Sequence, residues 1–122
     1  MDIQRIQPGP RLSRAVIHNG VAWLAGITAP DRSQDIRGQL AQVFDRLEQH
    51  LQDAGSDRTR LLSALVVLKD PARDFAALNE LWEAWIPAGQ APARATIQAG
   101  LAAPDILVEI IVTAAVAPGA AP

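Results

Sequence analysis

Two charged side chains stand in an otherwise apolar segment near the end of the sequence. Residues 91–115, APARATIQAGLAAPDILVEIIVTAA, contain Arg94, Glu109 and, between them, only Asp105 as a further full charge. A guanidinium on a stiff strand can bind a carboxylate through two parallel hydrogen bonds, and a glutamate at the far end of such a pocket can hold a water molecule. Because buried arginine and glutamate are usually paired, a structural ion pair or a solvated strand edge that supports an oligomer fits the same residues. The residue types leave both interpretations open.

Side chains alternate between the two faces of a β-strand, and this alternation groups polar residues around Arg94. Thr96, Gln98 and Gly100 fall on the same face as Arg94, and the opposite face is apolar: Ala95, Ile97, Ala99 and Leu101. The polar side chains of this strand are therefore predicted to point to the same side of the sheet.

The other residues that could act in catalysis or bind a metal are not spaced as in a known catalytic or metal-binding motif. His18 and His50 have no second histidine or carboxylate at ligand spacing, whereas a metal site needs about three or four ligands. His50 falls on the polar face of a predicted helix, which favours a surface position. Trp82 and Trp85 share a helix face and are interpreted as core packing. We expect no metal and no cofactor.

Composition limits the function classes. The 122 residues are 49% apolar and 20% charged, which predicts one globular domain over residues 1–116 with a flexible tail over 117–122. The net charge is −2 and the basic residues are scattered, so nucleic acid is not the expected partner. No apolar run approaches the roughly 20 residues that span a bilayer, and the first residues lack the apolar core of a secretory signal. We expect a cytoplasmic protein that contacts no membrane.

Strand and helix patterns alternate along the chain. Asn19-Gly20 separates two short apolar runs, Ala15–His18 and Val21–Gly26, and predicts a hairpin. A long amphipathic helix is predicted to follow and to end at Gly55; its apolar positions are Ile36, Leu40, Val43, Phe44, Leu47, Leu51 and Ala54. The run Leu61–Leu68 is typical of a buried strand.

A second helix and two strands complete the pattern. Asp74 is the predicted cap of this helix, and its apolar stripe is Phe75, Leu78, Leu81, Trp82 and Trp85. The last strands are predicted over 94–101 and 106–116, with a turn at residues 102–105. The order β-β-α-β-α-β-β indicates an α+β domain with a mixed sheet and both helices on one face. Since the runs 61–68 and 106–116 are apolar at nearly every position, the second face of the sheet needs a partner, and we expect a homo-oligomer.

Several motifs together resemble the reactive intermediate deaminase (Rid) or YjgF family, in particular its YoaB-like branch. They are HNGVAWLAG, LLSALVVLKD, DFAALNELWEAW, APARATIQAG with Pro92-Ala93-Arg94, and VEIIVTAA with Val108-Glu109-Ile110. The resemblance runs from about residue 11 to residue 116. It implies a chorismate-mutase-like fold and a homotrimer with a pocket in each cleft between subunits.

The resemblance also implies roles for individual residues. Arg94 matches the family arginine that binds the substrate carboxylate, Glu109 matches the glutamate associated with the attacking water, and Asn79 matches a helix asparagine near the pocket. Three positions depart from the best-known deaminases: Leu12 replaces a tyrosine, Ala25 a serine and Thr96 a cysteine. Thr96 can still donate a hydrogen bond to a substrate.

The activity that the resemblance implies is hydrolysis of a 2-imino acid, the tautomer of a reactive enamine such as 2-aminoacrylate, to a 2-keto acid and ammonia. The same clefts also fit a non-catalytic trimeric module that binds a small carboxylate as a sensor or regulator. The retained Arg94 suits both hypotheses, whereas the three departures favour the second.

Overall fold

The computed structural model describes residues 2–119, which form one six-stranded sheet and two helices. The strands are β1 (Gln4–Pro8), β2 (Ser13–His18), β3 (Val21–Leu24), β4 (Leu61–Leu68), β5 (Ala93–Gln98) and β6 (Val108–Ala115), and the helices are α1 (Ile36–Asp53) and α2 (Pro71–Trp85). The spatial order is β1-β2-β3-β6-β4-β5, in which only β4 and β5 run parallel. The α+β class predicted from the sequence is confirmed.

The predicted hairpin joins β2 and β3. Asn19 and Gly20 have φ values of 52° and 76°, which the tight turn requires and which these two residue types tolerate. An additional strand, β1, pairs with the outer edge of β2 and was not predicted. Its sequence, QRIQP, has little apolar alternation, and its residues are largely exposed, as an edge strand allows.

Helix α1 forms where the apolar spacing predicts it. The Asp35 side chain caps the helix by accepting a hydrogen bond from the Gly38 N–H at 2.9 Å, and Gly55 follows the end with φ of 77°. The expectation that His50 lies on the polar face is wrong, because His50 is only 5% exposed. It lies beside Leu51 at the margin of the stripe, where the polar and buried faces meet.

The cap of helix α2 lies four residues before the predicted one. Asp70 caps it by accepting a hydrogen bond from the Arg73 N–H, and Pro71 occupies the first turn, where its missing N–H has no cost. Asp74 is not the cap; it is buried and accepts two hydrogen bonds from the Arg73 guanidinium at 2.9 and 2.8 Å. Phe75 is 44% exposed and does not belong to the buried stripe.

The last two strands are separated in the sheet. β5 pairs in parallel with β4, whereas β6 lies between β3 and β4, so the chain crosses β4 between them. β5 ends at Gln98 and therefore does not include Gly100. The main core lies between the sheet and the helices and includes Val66, Ile110 and Val112.

The opposite face of the sheet has apolar side chains that the helices do not cover. Along β6 buried and half-buried residues alternate, and the half-buried ones, Ile111 among them, point away from the core. Trp23 and Ile97 are 46% and 44% exposed. This is the second apolar face that the sequence predicted.

Candidate functional site

Arg94 lies on β5 with its side chain on the helix side of the sheet. Its backbone is paired with Ala64 of β4, and its Nη2 donates a hydrogen bond of 2.7 Å to the Asn79 Oδ1 of α2. The guanidinium carbon lies 5.3 Å from the ring centroid of Trp82, a cation–π distance. Asn79 and Trp82 are three residues apart on α2, so one helix face holds the guanidinium from two directions.

The aromatic support of Arg94 is itself fixed by packing. Trp82 is buried, and its ring centroid lies 6.2 Å from that of Phe44 on α1 and 6.0 Å from that of Trp85. The interpretation of Trp82 as a core residue is correct, but its contact with Arg94 was not predicted. The three-residue spacing between Asn79 and Trp82, which puts them on one helix face, is the sequence feature that could have indicated this contact.

Burial changes the electrostatics of Arg94. It lowers the pKa of the Arg94 guanidinium from its ordinary value, and the negative charge of Glu83 opposes this shift. An arginine stays protonated in proteins, so Arg94 keeps a positive charge in a partly dehydrated place. Such a group binds an anion more strongly than an arginine in open solvent does.

Thr96 follows Arg94 on the same side of β5. Its Oγ1 is buried and has no hydrogen-bond partner among residues 2–119. Buried hydroxyl groups are normally hydrogen-bonded, so this group is available to a ligand. Arg94 thus contacts Asn79, and Thr96 lies two residues along the same face of β5.

Glu109 lies on the opposite side of the sheet. It is paired with Val67 of β4 and alternates along β6 with the buried residues Val108 and Ile110, which face the helices. Gly26 makes room for its carboxylate, because a Cβ on Gly26 would lie 2.0 Å from the Glu109 Oε2. This need for a glycine was not predicted from the sequence.

An ion pair between Arg94 and Glu109 is therefore not formed within the described chain. The ion pairs of residues 2–119 involve other side chains, and the thickness of the sheet separates these two. Within one copy of the chain, the alternative of a structural ion pair between these two residues is therefore not found. Alternation along each strand could not reveal this from the sequence. Strands β5 and β6 follow one another in the chain but are not adjacent in the sheet, so the sequence does not show which of their faces point the same way.

Two of the positions that depart from the best-known deaminases lie near Glu109. Leu12, which is 62% exposed, and Ala25 line one cavity together with Gly26. The third, Thr96, is on the Arg94 side. Among residues 2–119, no three potential metal-ligating side chains are grouped, and no helix is long and apolar enough to cross a membrane.

Comparison with known proteins gives consistent matches over nearly the whole chain. The family model described as "Endoribonuclease L-PSP" matches residues 2–116. The RutC family protein YoaB of Escherichia coli strain K12 is 40% identical over 116 residues, which cover 95% of this chain and 100% of that protein. A RutC family protein of Haemophilus ducreyi is 39% identical over 114 residues, covering 93% of this chain and 97% of that protein. A crystal structure of a YjgF family member from Neisseria meningitidis superposes with a TM-score of 0.93 at 37% identity, covering 98% of each chain.

Proposed function

Since this chain belongs to the YjgF/Rid family, which the endoribonuclease L-PSP and RutC matches define, we propose that it hydrolyses 2-imino acids to 2-keto acids and ammonia. The observation that carries the proposal is the arrangement on β5: Arg94 is held between Asn79 and Trp82, and the buried hydroxyl of Thr96 beside it lacks a partner. This arrangement supports the proposal of a binding site for a small carboxylate.

In the proposed reaction, Arg94 binds the substrate carboxylate. Asn79 occupies one guanidinium N–H, and the remaining donors form a planar fork that suits a carboxylate. Thr96 donates its hydroxyl proton to the same anion. These contacts fix the adjacent C=N carbon in one position, and orientation of this kind is the main requirement when the substrate is already electrophilic.

Glu109 is proposed to position the water and to transfer protons. The water oxygen attacks the imine carbon, and the C=N π electrons move to nitrogen. Glu109 accepts a proton from the water and delivers it to that nitrogen, which gives a carbinolamine with –OH and –NH2 on one carbon. Glu109 then transfers the hydroxyl proton to the same nitrogen; the C–N bond breaks, ammonia leaves with the bonding electron pair, and the C=O bond forms. General acid–base assistance of this type is typically worth about 10²–10⁴-fold in rate.

The proposed site is shared between two copies of the chain. A single copy places Arg94 and Glu109 on opposite sides of its sheet. In the proposed assembly, a neighbour packed on the exposed face brings a second Arg94 toward Glu109. The exposed side chains of Trp23 and Ile97 supply an apolar surface for such packing. A homotrimer forms three equivalent clefts of this type in a closed ring.

A second candidate is a trimeric module that binds a small carboxylate without chemistry. The residues at the three departures favour it: Thr96 has no thiol, and Leu12 and Ala25 have no hydroxyl. Endoribonuclease activity, for which the matching family is named, is a third candidate, but a net charge of −2 does not favour binding to RNA.

Trapping of imines with semicarbazide separates the two candidates. An amino acid oxidase generates the 2-imino acid, and semicarbazone formation is followed with and without the protein. A deaminase decreases the semicarbazone yield in proportion to its concentration. A binding module leaves the yield unchanged at substoichiometric protein while 2-keto acids still bind to it.

A further inference from the structure

A small cavity with a positive lining lies where β2, α1 and the segment after β3 meet. Its volume is about 220 Å³, and it is lined by Arg14 of β2, Arg46 and His50 of α1, Gln7, Leu12 and residues 25–27. Pockets for drug-sized ligands are larger, roughly 300–1,000 Å³, whereas one water occupies about 30 Å³ of liquid. The cavity therefore has the size of a small ligand group.

The two arginines of this cavity are not neutralised by the protein. Neither Arg14 nor Arg46 forms an ion pair within residues 2–119. Arg46 Nη1 donates a hydrogen bond of 2.7 Å to the Thr28 carbonyl, which fixes the side chain and leaves other guanidinium donors available. Two oriented positive charges without carboxylate partners favour an anion.

His50 adds a buried donor to this lining. It is 5% exposed, and its Nδ1 is buried without a hydrogen-bond partner among residues 2–119. Burial lowers the pKa of His50, the positive charges of Arg14 and Arg46 lower it further, and Asp53 opposes them. These effects favour the neutral ring, in which one of the two ring nitrogens carries an N–H that can be donated.

We propose that this cavity is a binding site for a small oxyanion, a carboxylate or phosphate group, held by Arg14, Arg46 and His50. Gly26 lines the cavity and also adjoins the Glu109 carboxylate, so the anion lies near that group. The two positive charges of Arg14 and Arg46 exceed the single negative charge of Glu109, so the net charge around the cavity still favours an anion. Leu12, Ala25 and Gly26 place the cavity beside the proposed deaminase cleft, and Arg94 of the same copy does not line it.

Nuclear magnetic resonance of the imidazole groups tests the proposal, because the chain has only two histidines. Sodium malonate and inorganic phosphate are titrated separately at constant ionic strength. We expect saturable shifts of the His50 resonances with much smaller shifts of His18, and an increase in the pKa of His50 when the anion is bound. A response to malonate alone identifies a carboxylate site, and a response to phosphate alone identifies a phosphate site.

Variants assign the binding to the cavity. Arg14→Gln weakens binding about tenfold or more, since it removes a charge-assisted hydrogen bond. Arg5→Gln removes the same charge from an exposed position on β1 and leaves binding unchanged. If Arg14→Gln does not fold, Arg46→Gln replaces it and gives the same loss.

Two results overturn the proposal: shifts that do not saturate with either anion, or equal affinities in the Arg14→Gln and Arg5→Gln proteins. Arg94→Ala distinguishes this site from the adjacent deaminase cleft that a neighbouring Arg94 is proposed to share: an anion held by Arg14, Arg46 and His50 still binds in this variant, whereas an anion held in the cleft is lost. A protein that binds the anion but does not hydrolyse imines counts against the deaminase proposal alone.

Discussion

Arg94 and Glu109 lie on opposite faces of the same sheet. Arg94 contacts Asn79 and Trp82 on the helix side, whereas Glu109 fits against Gly26 on the side that the helices leave open. A ligand that touches both groups must therefore contact two copies of the chain. This relationship makes the quaternary structure part of the proposed mechanism, and it leads directly to a complementation experiment.

Mixing two defective variants should restore activity. Arg94→Ala and Glu109→Gln chains are each expected to be nearly inactive alone. In mixed trimers formed at equal ratio, random assembly gives about one quarter of the clefts an intact Arg94 and an intact Glu109 from different chains. Imine hydrolysis should recover to about one quarter of the wild-type rate.

The control for complementation is a trimer mixed from wild-type chains and chains carrying both substitutions. It has the same overall number of intact and substituted residues, and about one quarter of its clefts combine two wild-type chains. Mixed single variants that stay inactive while this control is active would contradict a site shared between subunits.

Replacement of Arg94 separates a role in binding from a role in stability. Arg94→Ala should abolish imine hydrolysis but should lower the free energy of unfolding by only about 1 kcal/mol, because one partly exposed hydrogen bond to Asn79 is lost. Arg94→Lys should rescue poorly, since an ammonium group cannot form the planar two-point contact. The semicarbazone assay and denaturant unfolding measure the two effects.

A large loss of stability without a loss of activity would indicate that Arg94 has only a structural role. A buried arginine with a charged partner costs about 3–5 kcal/mol when it is removed, and such a loss with normal activity per folded molecule would exclude the catalytic assignment.

The elements that sequence predicts well are those with strong local signals. The Asn19-Gly20 turn, the run Leu61–Leu68 and the apolar spacing of α1 each have a local physical cause, and each appears within a few residues of its predicted position. The grouping of Arg94 with Thr96 follows from alternation along one strand.

The features that sequence does not predict depend on contacts between distant segments. β1 is stabilised by pairing with β2 and not by an apolar pattern of its own. Asp70 and Asp74 are both suitable caps, and only the position of Pro71 and the burial of Asp74 distinguish them. The opposite directions of Arg94 and Glu109 depend on the strand order, in which β4 lies between β5 and β6.

The exposed sheet face should control assembly. Trp23→Glu places a charge on the apolar face, where burial of an unpaired carboxylate is costly, and should convert the proposed trimer to smaller species. Phe75→Glu is the matched control, because Phe75 is similarly exposed but lies on α2. Light scattering measures the mass. A wild-type protein that is a stable monomer when dilute would exclude both the trimer and the shared cleft.

Gly26 should matter for activity and not for stability. In Gly26→Ala the new Cβ would lie 2.0 Å from the Glu109 Oε2, so the carboxylate must move, and a flexible side-chain end moves at little cost in folding free energy. We expect a fall in turnover of about 10²-fold, the range for loss of a general acid or base, with an almost unchanged melting temperature. Gly100→Ala is the control, since no atom lies within 4 Å of its Cβ position. Equal turnover in the two variants would show that the position of Glu109 does not affect the reaction.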